Sequence, residues 1–167
     1  MEEKDEDAIC ELVSDNDRNR RMGSDYVTGR EEALSRFRQF LQDRNDQYVL
    51  EERSGGRVIG NISLEPLMPR MPELEGKKGR SLSYSLLPAW RRQGLMSEAL
   101  AAMCAFLFEK EGLDCVNCGY FVFNTPSGEL QKKLGFEFLS RTTVVRIGEE
   151  FQAIDNILWN PARRRQW

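Results

Sequence analysis

Residues 90–100, WRRQGLMSEAL, set two arginines (Arg91, Arg92), Gln93 and Gly94 directly ahead of a run that forms helix readily. A strand ending at Leu87, a short polar turn and a helix bring several free backbone N–H groups to one point. The helix dipole adds partial positive charge there, so an anion, above all a phosphate, is favoured. Gly94 lets the backbone approach such a group closely, and the arginines supply charge-assisted hydrogen bonds. The Gly-Lys-Ser/Thr ending of a P-loop is missing, and one glycine stands where a dinucleotide fingerprint needs three. Read without context, the same residues also suit a solvated helix cap.

The rest of the composition limits the chemistry. The chain has 167 residues, a net charge of −3 and no histidine. No Ser-His-Asp or Cys-His nucleophile pair is therefore available. Proton transfer falls to carboxylates, tyrosine, serine, lysine, cysteine or water. Acidic residues crowd the start and arginines the end (Arg163, Arg164, Arg165), with no domain-wide basic field, which argues against nucleic acid as partner. The arginine tail reads as a solvated terminus. With no apolar run near the ~20 residues a bilayer needs, a cytoplasmic protein without membrane association is expected. Cys10, Cys104, Cys115 and Cys118 are too few and scattered for a disulfide framework. Cys115 and Cys118 have C-x-x-C spacing, but on a strand they point to opposite faces, so they read as core thiols and no metal site is expected.

These features need elements to hold them, and one domain suffices for a chain of this length. Residues 7–14 read as a helix with Ile9, Leu12 and Val13 on one side. Residues 28–43 read as a second, with Thr28 and Glu31 in capping-box spacing and Leu34, Phe37 and Leu41 at helical intervals. QYVLEER, SGGR and VIGNISL are strand, turn and strand. Residues 65–80, with three prolines and two glycines, form a long loop before the strand SLSYSLL. The helix from about Gly94 to Glu111 carries Met96, Leu100, Met103 and Leu107 on an apolar face, with Phe106 and Phe108 adding to it. DCVNCGYFV is a strand, TPSGELQKKL a short helix, and FEFLSRTTVVRI a strand returning through Gly148 to FQAIDNILW. This order is α/β or α+β on one mixed sheet.

A second motif, NTPSGELQKKLGFEFL, follows the helix mouth by about thirty residues. Together the two segments resemble the GNAT superfamily of N-acetyltransferases, in its RimJ/RimL-like, ribosomal-protein-acetylating branch. The superfamily pattern Arg/Gln-x-x-Gly-x-Gly/Ala is met by Arg91 and Gly94, with Met96 where glycine or alanine is usual. The branch pattern Asn-x-x-Ser followed by Lys-Leu-Gly-Phe is met by Asn124, Ser127, Lys133, Leu134, Gly135 and Phe136. The resemblance runs from about Asp5 to Trp159.

It implies a GNAT-like acyl-CoA N-acyltransferase fold with a mixed, mostly antiparallel central sheet flanked by helices. The strand that usually opens the family fold has no counterpart ahead of the first helix here. The resemblance implies acetyl-CoA as cosubstrate and an amine as acceptor, a protein N-terminus or a small molecule, acetylated by direct attack. Arg91, Arg92 and the amides of Gln93, Gly94, Leu95, Met96 and Ser97 would hold the pyrophosphate. Leu86, Leu87 and their neighbours would pair with the pantetheine arm as a strand edge does. Asn124 would contact that arm, Lys133 belongs to the cosubstrate set, and Ser127 would protonate the leaving thiolate. Ser127 also suits a plain helix-start hydroxyl. The base positions of relatives carry Ser81, Arg146 and Ile147, none of them a carboxylate. Glu65 is the first candidate base, then Tyr84 and Glu149. An acetyl-cysteine route, a non-catalytic acyl-CoA-binding module and a nucleotide-binding domain remain as other readings. An open sheet edge makes a homodimer an expectation.

Overall fold

The structure is a computed structural model that describes residues 1–43, 46–67 and 72–163. Residues 68–71 of the long loop, and Arg164 and Arg165 of the tail, lie outside the described residues.

Five helices and six strands follow one another as α1 (Glu6–Ser14), α2 (Asn16–Met22), α3 (Arg30–Gln42), β1 (Gln47–Glu51), β2 (Val58–Pro66), β3 (Gly79–Leu86), α4 (Leu95–Glu109), β4 (Cys115–Phe121), α5 (Thr125–Lys133), β5 (Glu137–Arg146) and β6 (Glu149–Trp159) among the described residues. The strands form one sheet in the order β1-β2-β3-β4-β6-β5. β1 pairs with β2 and β4 with β6 antiparallel. β3 and β4 run parallel, which requires the crossover that α4 supplies. Among the described residues no strand precedes α1, the point at which the sequence departs from the family pattern.

By its internal contacts the chain divides into two compact units. The first comprises Met1–Ser63, Ser83–Met96 and Arg146–Gly148, and the second Leu64–Leu82, Ser97–Val145 and Glu149–Trp167.

In the first unit Ile9, Leu12 and Val13 of α1 pack with Ala33 and Phe37 of α3, Val27, Val58 and Leu87. Leu34 and Leu41 are partly buried against this cluster, so the expected stripe of α3 centres on Ala33 and Phe37. The cap also differs from expectation. Gly29 is the N-cap, and the amide and hydroxyl of Thr28 both donate to Glu32, not Glu31. The helix starts one residue later than the capping box required, which puts Glu32 at its third position.

α2 was not visible in the apolar pattern. Its buried residues are Arg18 and Asn19, and Met22 is its only apolar one. Its ends define it: Asp15 accepts the Arg18 amide at 3.1 Å, and Gly23 closes it in the left-handed conformation.

In the second unit β4 is the central strand, with Cys115, Val116, Asn117 and Cys118 all buried. Cys115 packs with Leu74 and Ile157, while Cys118 turns to α5. On α4 the buried residues are Met96, Leu100, Cys104 and Leu107. Cys104 thus takes the place expected of Met103, and Phe106 is exposed at 42%. Position 106 lies 100° round the helix from Leu107, off its buried face.

Candidate active site

The turn from Arg91 to Gly94 is built for an abrupt entry into α4. Gly94 has φ +80°, and a Cβ there would meet nothing within 4 Å, so the site is open but its backbone suits only glycine. Arg92 also has positive φ, 63°, an uncommon state for a residue with a side chain. Arg92, Gln93 and Gly94 are exposed, Leu95 and Ser97 half-buried, and Met96 buried. The first amides of an α-helix have no intrahelical acceptor. For those of Leu95, Met96 and Ser97 no acceptor outside the helix is present among the described residues. The Gln93 side chain turns back to donate to Ala89 O at 2.9 Å.

Arg91 differs from a free phosphate ligand. Its Nη2 meets Asp15 Oδ2 at 2.5 Å, its Nη1 lies 3.6 Å from Asp17, and its Nε donates to Leu86 O at 3.0 Å. Arg91 therefore ties the turn to the α1–α2 corner and to the end of β3. Burial opposes ionisation of Asp15, but the Arg18 amide and Arg91 outweigh it and hold the carboxyl below its usual range. The Leu87 backbone is also engaged, its amide donating to Ile59 O and its carbonyl accepting from Trp90, both at 2.9 Å. Tyr84 is half-buried on β3.

In the second unit Asn124 is the N-cap of α5, with no side-chain cap bond. Its carbonyl accepts the Ser127 amide at 3.0 Å. The Ser127 hydroxyl faces a residue the sequence reading passed over. Gln131, fully buried, donates through Nε2 to Ser127 Oγ and to Cys118 Sγ, each at 3.2 Å. Its Oε1 accepts from Asn156 Nδ2 at 2.8 Å. The i, i+4 spacing of Ser127 and Gln131 was the available clue, since such pairs share a helix face. α5 can lie this close because residue 128 is glycine: a Cβ there would stand 2.7 Å from the Tyr120 ring.

A second overlooked residue lies on the other face of β4. Asp155 sits opposite Gly119, where a Cβ would meet Asp155 Oδ1 at 2.9 Å. Burial pushes the Asp155 carboxyl above the usual carboxylate range, and hydrogen bonds from Ser140 and Asn117 offset part of that. Asn117 is held in turn by the Ser81 hydroxyl at 3.1 Å. Adjacent strand residues point to opposite faces. Cys118 therefore marks the Gln131–Ser127 side and Gly119 the Asp155 side. The β3–β4 register runs from Gly79 and Cys115 to Leu82 and Cys118, so both groups flank its last pair.

The other candidates differ from these groups in exposure. Glu65 is exposed on β2, Lys133 is exposed in the last turn of α5, and Glu149 is exposed at the start of β6. Burial pushes the Cys104 thiol up to about 12 and, with Asp114 nearby, Cys115 up to about 11. Neither is an activated nucleophile.

Residues 1–137 match the family described as acetyltransferase (GNAT) domain. The chain belongs to the GNAT acetyltransferase family. As a GNAT acetyltransferase it is an acetyl-CoA-dependent enzyme that moves an acetyl group to an amine. The uncharacterized N-acetyltransferase YoaA of Bacillus subtilis (strain 168) is 24% identical over 139 residues, 81% of this chain and 75% of its own. A GNAT-family acetyltransferase from Bacillus anthracis has the same fold, with TM-score 0.83 at 17% identity over 96% of this chain and 92% of its own. A spermidine N-acetyltransferase from Vibrio cholerae, solved with CoA and spermine, gives 0.78 at 13% identity over the same shares. Ribosomal-protein-alanine acetyltransferases are also among the fold neighbours. Among the described residues no helix is long and apolar enough to cross a membrane.

Proposed function

We propose that this GNAT enzyme acetylates a primary amine, a protein N-terminus or a small molecule, by direct attack, with Asp155 as base and Ser127 as acid. The observation that carries the assignment is their position on opposite faces of β4, flanking Cys118 and Gly119. Acetyl-CoA supplies the activated acyl carbon. The amides of Gln93 to Ser97, with Arg92, hold its pyrophosphate at the head of α4, and Arg91 braces that turn. Leu86 and the edge of β3 take the pantetheine arm, Leu87 ends that edge, Asn124 contacts the arm, and Lys133 adds charge.

Asp155 removes a proton from the acceptor ammonium, and the freed lone pair attacks the thioester carbon. The C–S bond breaks, Ser127 gives its proton to the leaving sulfur, and the second proton lost by the new amide nitrogen returns through water to restore the Ser127 hydroxyl. Backbone N–H groups that face the carbonyl oxygen stabilise its growing charge. Burial favours this use of Asp155, since a base is most effective when its pKa approaches the working pH. Glu65 and Tyr84 become secondary candidates, and Glu149 a more distant one.

The reading treats the chain as one domain, because β2 and β3 each run unbroken between the two compact units. It also includes the RimJ/RimL-like branch, on the spacing of Asn124, Ser127 and the Lys-Leu-Gly-Phe segment. None of the four cysteines forms a disulfide, which fits a reducing, cytoplasmic setting. β1 and β5 end the sheet, and outer strands present unpaired backbone groups, which supports a homodimer; a monomer on sizing at high concentration removes that part.

The experiment is release of free CoA thiol from acetyl-CoA across Ala- and Ser-starting peptides, amino acids, spermidine and aminoglycosides. Acetyl-CoA binding is titrated alongside. Acceptor-dependent release establishes the transfer and its substrate class. Tight binding without release from any amine overturns the catalytic assignment in favour of a binding module.

A further inference from the structure

Arg18 has no place in the chemistry described so far, and its surroundings are unusual for a structural arginine. Its side chain is 6% exposed, yet no carboxylate of the described residues forms an ion pair with it. Asp15, the nearest acid, spends one oxygen on the Arg18 backbone amide and the other on Arg91. Nε donates to Ser85 Oγ at 3.1 Å, and Nη1 donates to Asn19 Oδ1 at 2.8 Å. A guanidinium has five N–H donors. Those two bonds leave three without an acceptor among the described residues, including both on Nη2.

The other nearby charges do not compensate. Burial lowers the affinity of Arg18 for its proton, Arg36 and Arg91 add repulsion, and Asp15 alone attracts. Even pushed down to about 10, the group stays protonated at neutral pH. So nearly buried a cation with no ion pair is costly, and Nη2 is not among the fully buried polar atoms left without a partner, so its open donors reach solvent. The fold nonetheless fixes it firmly. The Ser85 hydroxyl donates to Asn61 Oδ1 at 2.7 Å, Asn61 Nδ2 donates to Ser63 Oγ at 3.2 Å, and Ser63 Oγ donates to Gln47 Oε1 at 2.5 Å. Arg18 thus ends a hydrogen-bonded chain across β1, β2 and β3, with its remaining donors held ready.

We infer that Arg18 binds a carboxylate carried by the acceptor, so that the acceptor is an amino-acid-like amine bearing an anion as well as its amino group. The inference rests on the acetyltransferase reading and narrows its acceptor. Its link to that site is Ser85, the β3 residue next to Leu86, which takes the pantetheine arm. A planar fork with Nη donors open matches a carboxylate in two parallel hydrogen bonds. Polyamines offer the opposite charge, and Arg18 with Arg36 beside it repels them.

Two measurements test this. In the first, kcat/KM is compared for matched acceptor pairs, each amino acid against its amide, in the wild type and in Arg18→Met and Arg18→Lys. The expected result is a preference of about 10- to 100-fold for the carboxylate form, the usual worth of a charge-assisted pair. Arg18→Met erases the preference and Arg18→Lys keeps only part, while acetyl-CoA affinity stays constant in both. Amides accepted as well as acids by the wild type, or an unchanged preference in Arg18→Met, overturn the inference.

The second measurement needs neither turnover nor a folded variant. Acetate is titrated into the wild-type protein while the 15Nε–1H signal of Arg18 is followed by NMR. A saturable shift supports the site, and a signal unmoved at high acetate overturns it. If no amine is acetylated, the acetyltransferase assignment fails while the acetate titration still decides the anion site. If acetyl-CoA alone moves the signal and Arg18→Met weakens its binding, the anion belongs to the cosubstrate and the acceptor assignment falls.

Discussion

Replacing Gln131 with leucine tests the arrangement behind Ser127, because it nearly preserves side-chain size while deleting every polar contact of the amide. The hydrogen bonds to Cys118, Ser127 and Asn156 disappear. The largest cost falls on Asn156, a residue 8% exposed whose Nδ2 loses the Gln131 acceptor. Leaving such a buried donor unpaired costs about 1–3 kcal/mol. Ser127 is half-buried and reaches water, and sulfur is a weak acceptor, so Ser127 and Cys118 add less. Burial of leucine offsets part of the loss, leaving about 2 kcal/mol. For a domain of this size that lowers Tm by about 4–8 °C, measurable by calorimetry.

The same variant should slow turnover about 10-fold or more, with acetyl-CoA affinity unchanged. Gln131 donates to Ser127 Oγ, which steers the hydroxyl hydrogen away from the amide. A correctly aimed general acid is worth about 10²–10⁴ in rate. A double-mutant cycle with Ser127→Ala separates aim from general damage. An unchanged Tm refutes the network. An equal rate loss in the wild-type and Ser127→Ala backgrounds refutes the link between Gln131 and proton transfer.

Three further outcomes are expected. Gly94→Glu should abolish acetyl-CoA binding in a calorimetric titration, by placing an anion at the phosphate position and straining a backbone at φ +80° by about 1–2 kcal/mol; retained affinity removes the turn from the site. Asp155→Asn should abolish turnover yet raise Tm at neutral pH. The folded protein raises this carboxyl above its unfolded value, so Asp155 is tolerated fully only while protonated, and the penalty grows as pH rises from about 4; a Tm gain equally large at pH 3 contradicts that origin. Gly128→Ala should displace α5 from Tyr120, since the added Cβ would stand 2.7 Å from the ring, and should lower kcat more than acetyl-CoA affinity; an unaffected kcat shows that α5 tolerates the shift.

The elements and the phosphate-facing turn were legible from local chemistry. Helical periodicity marks α1 and α3, alternating and β-branched runs mark the strands, and Gly94 announces a tight entry to α4. Those patterns arise from apolar burial and backbone sterics, which act over a few neighbouring residues. α2 escaped them because its buried residues are an arginine and an asparagine. Arg91 read as a phosphate ligand because its partners Asp15 and Asp17 lie more than seventy positions away in the chain.

The same limit applies to the groups around β4. Gln131 carries only its i, i+4 spacing from Ser127 as a local mark, and Asp155 none: one glutamine in a polar helix and one aspartate in a strand look solvated in a linear reading. Their roles depend on burial, which turns the Gln131 amide into a fixed donor and raises the proton affinity of Asp155. Burial is a sum over segments distant in sequence, here β4, α5, β5 and β6, and it exists only once the sheet has formed. Local sequence therefore determined which segments fold and where an anion can meet a helix mouth. Tertiary packing decided which polar groups leave water, and with that which of them hold or move a proton.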